Sequence, residues 1–508
     1  MSASAIETDL ARREAAVLDA VPKASLIGSG WRSAQDEATL AVEDPATGRP
    51  LCELPDAGVK DALDALDAAA QAQLGWAGTP ARVRGELLRS AFETVIERRE
   101  ELALLITMEM GKPLAESRAE VTYGAEFLRW FSEEAARIGG RYGDHAEGTG
   151  RLLTRRHPVG PCILITPWNF PLAMATRKIA PAIAAGCTMV VKPAKQTPLT
   201  TLLFARILEE CGLPPGVLNV LSTSRSGEVV QALIADGRAR KLSFTGSTEV
   251  GRVLLGLCAT GVMRTSMELG GNAPLIVFDD ADLDCAVQGA MLAKLRNGGE
   301  SCTAANRIYV QEGIAAEFLA AFTERMQAVR IGRGTGEVEL GPMIDAAGRE
   351  KLGELVDDAA AAGAGVLTGG RQLDGGGYFY APTVLADVPP EARILREEVF
   401  GPVAPVVRFA TESEAIAAAN ATEYGLVAYA FTRDLDRALR VSDQLDTGMV
   451  GINQGVVSNA AAPFGGIKQS GIGREGGPEG LEEYLSTKYI AIASPPHPQA
   501  MDLTGAGG

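Results

Sequence analysis

The sequence predicts an α/β protein with two parallel-sheet domains and a small additional β element, and three observations carry that expectation. At 508 residues the chain is too long for one ordinary hydrophobic core. From about residue 160, short β-branched apolar runs alternate with helical segments, the rhythm of a parallel sheet covered on both faces. A second alternation of the same kind begins near residue 270.

Ahead of the first alternation, residues 57–80 and 81–110 read as two amphipathic helices, with apolar residues recurring at three and four positions. Then CILITP reads as a strand, PLAMATRKIAPAIAAG as a helix and TMVVKP as a second strand. LTTLLFARILEECG, VLNVLS, SGEVVQALIADG, KLSFTG and STEVGRVLLGLCAT continue as helix, strand, helix, strand and helix. This is the pattern of a Rossmann-like nucleotide domain, whose ligands bind at the carboxyl ends of its strands. In the second alternation NAPLIVFD is strand-like, ADLDCAVQGAMLAKLRNGG helical and TAANRIYVQ strand-like. A long helix (GIAAEFLAAFTERMQAVRIG) follows, then loop-rich sequence and further units to about 470.

Two segments fit neither domain: RLLTRRHPVG (151–160), read as part of a hairpin arm, and EEYLSTKYIAIAS (482–494), a lone late strand. Isolated strands need partners, so both are expected to pair across a subunit interface. The expected division is a leader segment (1–24), a dinucleotide-binding domain (25–145 and 161–269), a second domain (270–475), an oligomerisation arm (146–160 and 482–494) and a flexible tail (495–508), rich in Pro, Gly and Ala.

Composition narrows the function. A hydrophobic content of 46% and a charged content of 22% describe an ordinary soluble globular chain. The net charge of −16 argues against a nucleic-acid surface, which needs clustered positive charge. The N-terminus reads as neither a secretory nor a transit signal, and no run approaches membrane-spanning length, so a cytoplasmic location with no membrane partner is expected. Seven scattered cysteines without a CxxC fit reduced thiols. Three histidines (145, 157 and 497) provide no zinc spacing, so no metal is expected and a general base must be a carboxylate or a lysine.

Six short motifs could carry chemistry. Cys302 lies in RNGGESCTAANR (296–307), between a helix and a strand, where Gly298 and Gly299 let a ligand approach the thiol and the local amides; a lone cysteine is otherwise a small buried hydrophobe. Asn169, in PWNFP after the CILIT strand, could donate to a developing oxyanion beside the Cys302 amide, or simply cap the next helix. Lys192 and Lys195, in VVKPAKQTP, could contact the adenosine end of a nucleotide or be solvated loop lysines. Gly246 and Ser247, in FTGSTEVG, open a helix whose N-terminus suits a pyrophosphate. Glu268, in SMELGGNAP, could be a desolvated base or an ordinary loop carboxylate. Glu398 and Phe400, in EEVFGPV, suit a ribose acceptor and a ring shelf, or an edge charge and a core aromatic.

In order and spacing these motifs resemble the aldehyde dehydrogenase superfamily from about residue 25 to 494, most closely its succinate-semialdehyde dehydrogenases. The resemblance implies a Rossmann-like cofactor domain, a second α/β catalytic domain and a small β oligomerisation element, assembled as a homodimer or homotetramer. It implies Cys302 as nucleophile, Glu268 as general base, and Asn169 with the Cys302 amide as oxyanion hole. Thr166, Pro167, Trp168, Lys192, Lys195, Gly246, Ser247, Glu398 and Phe400 would hold the dinucleotide. The implied reaction runs through a thiohemiacetal, hydride transfer to nicotinamide, and a thioester that water hydrolyses. CoA-acylating relatives typically lack a glutamate at this position, so Glu268 argues for water as acyl acceptor.

Arg177, Arg296 and Ser458 match the positions at which succinate-semialdehyde dehydrogenases hold a distal carboxylate, and two guanidiniums with a hydroxyl suit such a group. The alternative is that the arginines pair with structural acids, which would suit a broad aliphatic or betaine-type enzyme. A cysteine thioesterase or esterase is the reading from a different class. Lys195 stands where NAD-selective relatives often carry glutamate, which predicts NADP in preference to NAD. Ala304 stands where some relatives carry a second cysteine, so no redox disulfide is expected beside Cys302.

Overall fold

The first alternation forms an eight-stranded sheet in a computed structural model that describes residues 3–493, so the expected tail at 495–508 lies outside the described residues. Five central strands run parallel in the order Arg264–Glu268, Lys241–Thr245, Cys162–Ile165, Met189–Lys192 and Leu218–Val220. Antiparallel strands close its two edges: Ser25–Ile27 and Gly30–Arg32 at one, Gly471–Ile472 at the other. Every residue of the strands at 162–165, 189–192 and 241–245 is buried, as their continuous apolar runs require. Chain order reverses between Cys162–Ile165 and Lys241–Thr245, so the carboxyl ends of these two strands flank a topological switch point.

Three elements depart from the sequence expectation. The single helix expected over 81–110 is two, Ala81–Glu97 and Arg99–Met110, broken at Arg98 (φ −90°, ψ 20°). The first buries one face, whereas the second is buried on all sides from Leu102 onward, so one amphipathic stripe cannot run through both. The strand Arg264–Glu268 escaped notice because its first half, Arg264-Thr265-Ser266, is polar. The helix Leu114–Glu134 escaped it because its inward face mixes Glu116, Ser117 and Glu120 with Val121 and Phe127.

The second sheet has seven strands, in the order Gly365–Thr368, Thr383–Ala386, Val403–Phe409, Ala305–Gln311, Ala273–Val277, Val427–Phe431 and Met449–Ile452. All run parallel except the first. The chain leaves the first sheet at Glu268 and enters the second at Ala273, so the carboxyl edge of one faces the amino edge of the other. Gly271 sits in that crossing, where any side chain would strike the Cys302 carbonyl oxygen.

The two leftover strands correct the expectation made for them. Gly150–Pro158 and Leu485–Ala493 pair antiparallel with each other along their full length within one chain, and Tyr142–Asp144 adds a third strand. The expected leader contains the helix Ala3–Ala20, whose Val17 joins the core of the first sheet. Among the described residues no helix is long and apolar enough to cross a membrane.

Candidate active site

A cavity of about 350 Å³ lies where the two sheets meet. The predicted residues Pro167, Trp168, Asn169, Arg177, Gly246 and Ser247 line it from the first sheet. Glu268, Arg296, Cys302, Glu398, Phe400 and Ser458 complete it. Thr166, Lys192 and Lys195 lie outside it.

Cys302 follows a turn that only a few residue types can make. Asn297 (φ 58°), Gly298 (φ 66°) and Gly299 (φ 77°) are all left-handed, and a side chain at 299 would strike the backbone of Gly401. The Glu300 carbonyl accepts from Asn169 Nδ2 at 3.0 Å and from Asn297 Nδ2 at 2.9 Å, which ties the loop to the first sheet. Cys302 is half-buried, and it is not the open thiol that its glycine turn suggests. Burial pushes its pKa up to about 12; Arg177 and Arg296 pull it down, while Glu398 and Glu268 push it further up.

Asn169 does not cap the helix that follows. Leu172 occupies that position, and the Leu172 and Ala173 amides donate to Glu120 Oε1 at 2.9 and 3.3 Å. Among the described residues the Glu300 carbonyl is the one acceptor on Nδ2, which leaves its second hydrogen available on a side chain that lines the cavity. Glu268 ends its strand as a buried side chain, and neither oxygen has a hydrogen-bond partner among the described residues. Burial first, and then the charge of Glu475, raise its pKa well above the usual carboxylate range against Arg177, Lys178 and Arg474. The reading of a water-exposed loop carboxylate is therefore excluded.

The two arginines differ. Arg177 is buried and ion-paired with Glu475, Nη2 to Oε2 at 2.8 Å, and its guanidinium lies 4.0 Å from the Phe464 ring. The structural-acid alternative thus holds for Arg177. Arg296 has no ion pair among the described residues, and its guanidinium lies over Phe170 (5.1 Å) and Tyr123 (5.8 Å). Its charge is felt by the buried Glu116 without a direct ion pair, so among the described residues it is the cavity-lining guanidinium that no carboxylate pairs with.

Around the switch point the groups suit a dinucleotide. Ser247 caps the helix Thr248–Ala259, accepting from the Val250 amide at 3.4 Å. That puts a helix N-terminus at the strand ends. The hydroxyls of Thr166 and Thr245 are buried without a hydrogen-bond partner among the described residues. Lys192 is buried, its Nζ donates to the Pro193 carbonyl at 3.1 Å, and burial pulls its pKa down to about 8. Lys195 is exposed. Glu398 Oε1 accepts from the Gly271 amide at 3.1 Å, and burial pushes its pKa up to about 7. Phe400 stands edge-on to Trp168, ring centroids 5.4 Å apart, so both rings wall the cavity. No group of three or more His, Cys, Asp or Glu among the described residues could hold a metal ion.

Sequence reasoning missed Tyr123, Glu300, Phe464 and the buried set of Lys178 and Glu475. One signal was present. Arg177 and Lys178 are consecutive cations in a helix that is otherwise uncharged and wholly buried, and such a pair demands a buried acid elsewhere in the chain.

The chain is similar to known proteins over most of its length. Residues 31–490 match the model of the aldehyde dehydrogenase family. A succinate-semialdehyde dehydrogenase of Paenarthrobacter nicotinovorans is 60% identical over 88% of this chain and 99% of its own length. A glutarate-semialdehyde dehydrogenase of Pseudomonas aeruginosa is 47% identical over 92% of this chain and 96% of its own. The crystal structure of an Escherichia coli NADP-dependent enzyme superposes with a TM-score of 0.92 at 46% identity, covering 94% of this chain and 99% of that one.

Proposed function

The chain belongs to the aldehyde dehydrogenase family, and from that premise we propose that it oxidises succinate semialdehyde, or a similarly short aldehyde with a distal carboxylate, to the acid. NADP is the preferred hydride acceptor and NAD the lesser one. The single observation that carries the substrate is Arg296: an arginine with no ion-pair partner among the described residues lines the same cavity as Cys302. A substrate carboxylate is the natural partner for it, with Ser458 and the Glu475-held Arg177 alongside.

The chemistry follows from the same cavity. Cys302 gives up its proton to solvent and its thiolate Sγ attacks the aldehyde carbon, and the oxyanion so formed accepts from the Asn169 Nδ2 hydrogen and the Cys302 amide. A bound dinucleotide would supply the acceptor for the hydride that leaves the substrate carbon. Gly246, Ser247 and the helix they open would hold its phosphates, Lys192 and Glu398 its ribose hydroxyls, and Trp168 and Phe400 its ring. Thr166 and Pro167 shape the same strand end. Lys195, exposed three residues after Lys192, would meet the additional phosphate of NADP. Glu268 then deprotonates the water that hydrolyses the thioester, a task suited to a carboxylate whose burial has raised its basicity.

Glutarate semialdehyde competes as a substrate, because one methylene is worth only about 1–3 kcal/mol of discrimination. The glutarate-semialdehyde relative is in keeping with that. The chain works as a cytoplasmic homodimer or homotetramer; the exposed outer strand Leu485–Ala493 supports assembly through the three-stranded arm. An aldehyde panel with NADP and with NAD tests the reading. Succinate and glutarate semialdehydes should exceed hexanal in kcat/KM, and equal rates on hexanal would refute the role of the arginines.

A further inference from the structure

Asn169 is held from behind by a buried ion pair that no part of the reaction described above uses. Lys112 Nζ donates to the Asn169 carbonyl at 2.7 Å and to Glu120 Oε2 at 2.6 Å. The other oxygen of Glu120 takes the amides of Leu172 and Ala173, the far end of the same turn. Both side chains are essentially inaccessible, at 1% and 0% exposure, and Lys112 also lies 4.1 Å from the Phe170 ring. Residues 169–173 are thus gripped at both ends by one charge pair. A pair this deeply buried is weak evidence for stability, since apolar residues of similar volume often serve folding equally well.

The helix Leu114–Glu134 that carries Glu120 also reaches the other half of the site. Glu116, one turn earlier, accepts from the Asn297 amide at 2.9 Å, in the left-handed turn that leads to Cys302. One helix face therefore touches both segments, at the 172–173 amides that follow Asn169 and at the Asn297 amide in the turn that leads to Cys302.

We infer that Lys112 and Glu120 are positioning residues that aim the Asn169 amide at the substrate oxygen, and that the helix Leu114–Glu134 sets its register against the Cys302 loop. The inference rests on Asn169 serving as oxyanion donor. The Lys112–Glu120 pair would act on the reaction through Asn169, which distinguishes it from a general contribution to folding.

A double-mutant cycle tests it in the full-length enzyme, with kcat and KM for succinate semialdehyde and NADP measured at saturating partner. Asn169→Ala alone should lower kcat by about 10²–10³-fold, the usual cost of one oxyanion donor. Lys112→Met should lower kcat at least tenfold with little change in either KM, yet change kcat less than twofold in the Asn169→Ala background. Equal effects in both backgrounds would overturn the inference while leaving the oxyanion reading intact. An Asn169→Ala variant with wild-type kcat would instead refute the oxyanion reading, and the inference with it. If Lys112→Met fails to fold, Lys112→Met/Glu120→Gln, which removes both buried charges, carries the same cycle. Failure of that variant to fold makes the pair structural and overturns the inference as well.

Discussion

Arg177 and Glu475 form an ion pair, Nη2 to Oε2 at 2.8 Å, in which each side chain is at most 6% exposed. Lys178 holds the other oxygen of Glu475, so one carboxylate serves two buried cations. Glu475 in turn raises the pKa of Glu268, so the acid that pairs with the cavity-lining Arg177 also acts on the Glu268 carboxylate.

Replacing Glu475 by Gln should therefore do two things. It leaves two buried cations unpaired, which costs about 3–5 kcal/mol and lowers Tm. It also removes the negative charge that raises the Glu268 pKa. The base is active when deprotonated, so its rate limb rises with pH; in Glu475→Gln that limb should move to lower pH. Thermal melts and a pH–rate profile read both effects, and an unmoved limb would separate Glu475 from the base.

Arg296 and Arg177 should respond differently to replacement by Leu. Arg296→Leu breaks no ion pair among the described residues, so Tm should change little, while KM for succinate semialdehyde rises roughly ten- to a hundredfold, the loss expected for a charge-assisted hydrogen bond. Arg177→Leu should raise KM and also lower Tm, because it takes one cation from Glu475. Hexanal turnover should be little affected by Arg296→Leu. A parallel loss on hexanal would show that Arg296 shapes the cavity and does not bind the carboxylate.

The thiol of the free enzyme should behave as a weak acid. With burial pushing Cys302 up to about 12, the thiolate fraction grows tenfold per pH unit across the neutral range. Iodoacetamide modification of Cys302 without cofactor should rise accordingly between pH 7 and 10. A plateau below pH 8 would mean that Arg177 and Arg296 outweigh burial.

Lys195→Glu should shift cofactor choice from NADP toward NAD by at least tenfold in the ratio of kcat/KM values, through loss of attraction and added repulsion at the extra phosphate. A strong NAD preference in the wild-type enzyme that survives this substitution would remove Lys195 from the cofactor site.

Local patterns carried much of this architecture. Wholly buried parallel strands such as Met189–Lys192 leave continuous apolar runs, and the switch-point motifs at 167–171 and 244–251 fall directly after them. Groups joined only in three dimensions were not legible. Glu475 lies 298 residues from Arg177 in the chain, and Lys112 reaches Asn169 from the short link before the helix Leu114–Glu134, whose inward acids blur its apolar stripe. The same limit explains the arm: two strands that look solitary in sequence are each other's partner over a separation of more than three hundred residues. The raised pKa of Cys302 was out of reach, because burial is a property of the folded cavity, whereas the apolar run before Glu268 already allowed a desolvated carboxylate there.

The most direct test is a single-turnover experiment on Glu268→Gln with succinate semialdehyde and NADP. The variant should give a burst of NADPH close to one per active site, then near-arrest, with a succinyl group on the peptide containing Cys302. Continued turnover at the wild-type rate, or a burst with no acyl group on Cys302, would contradict these roles for Glu268 and Cys302.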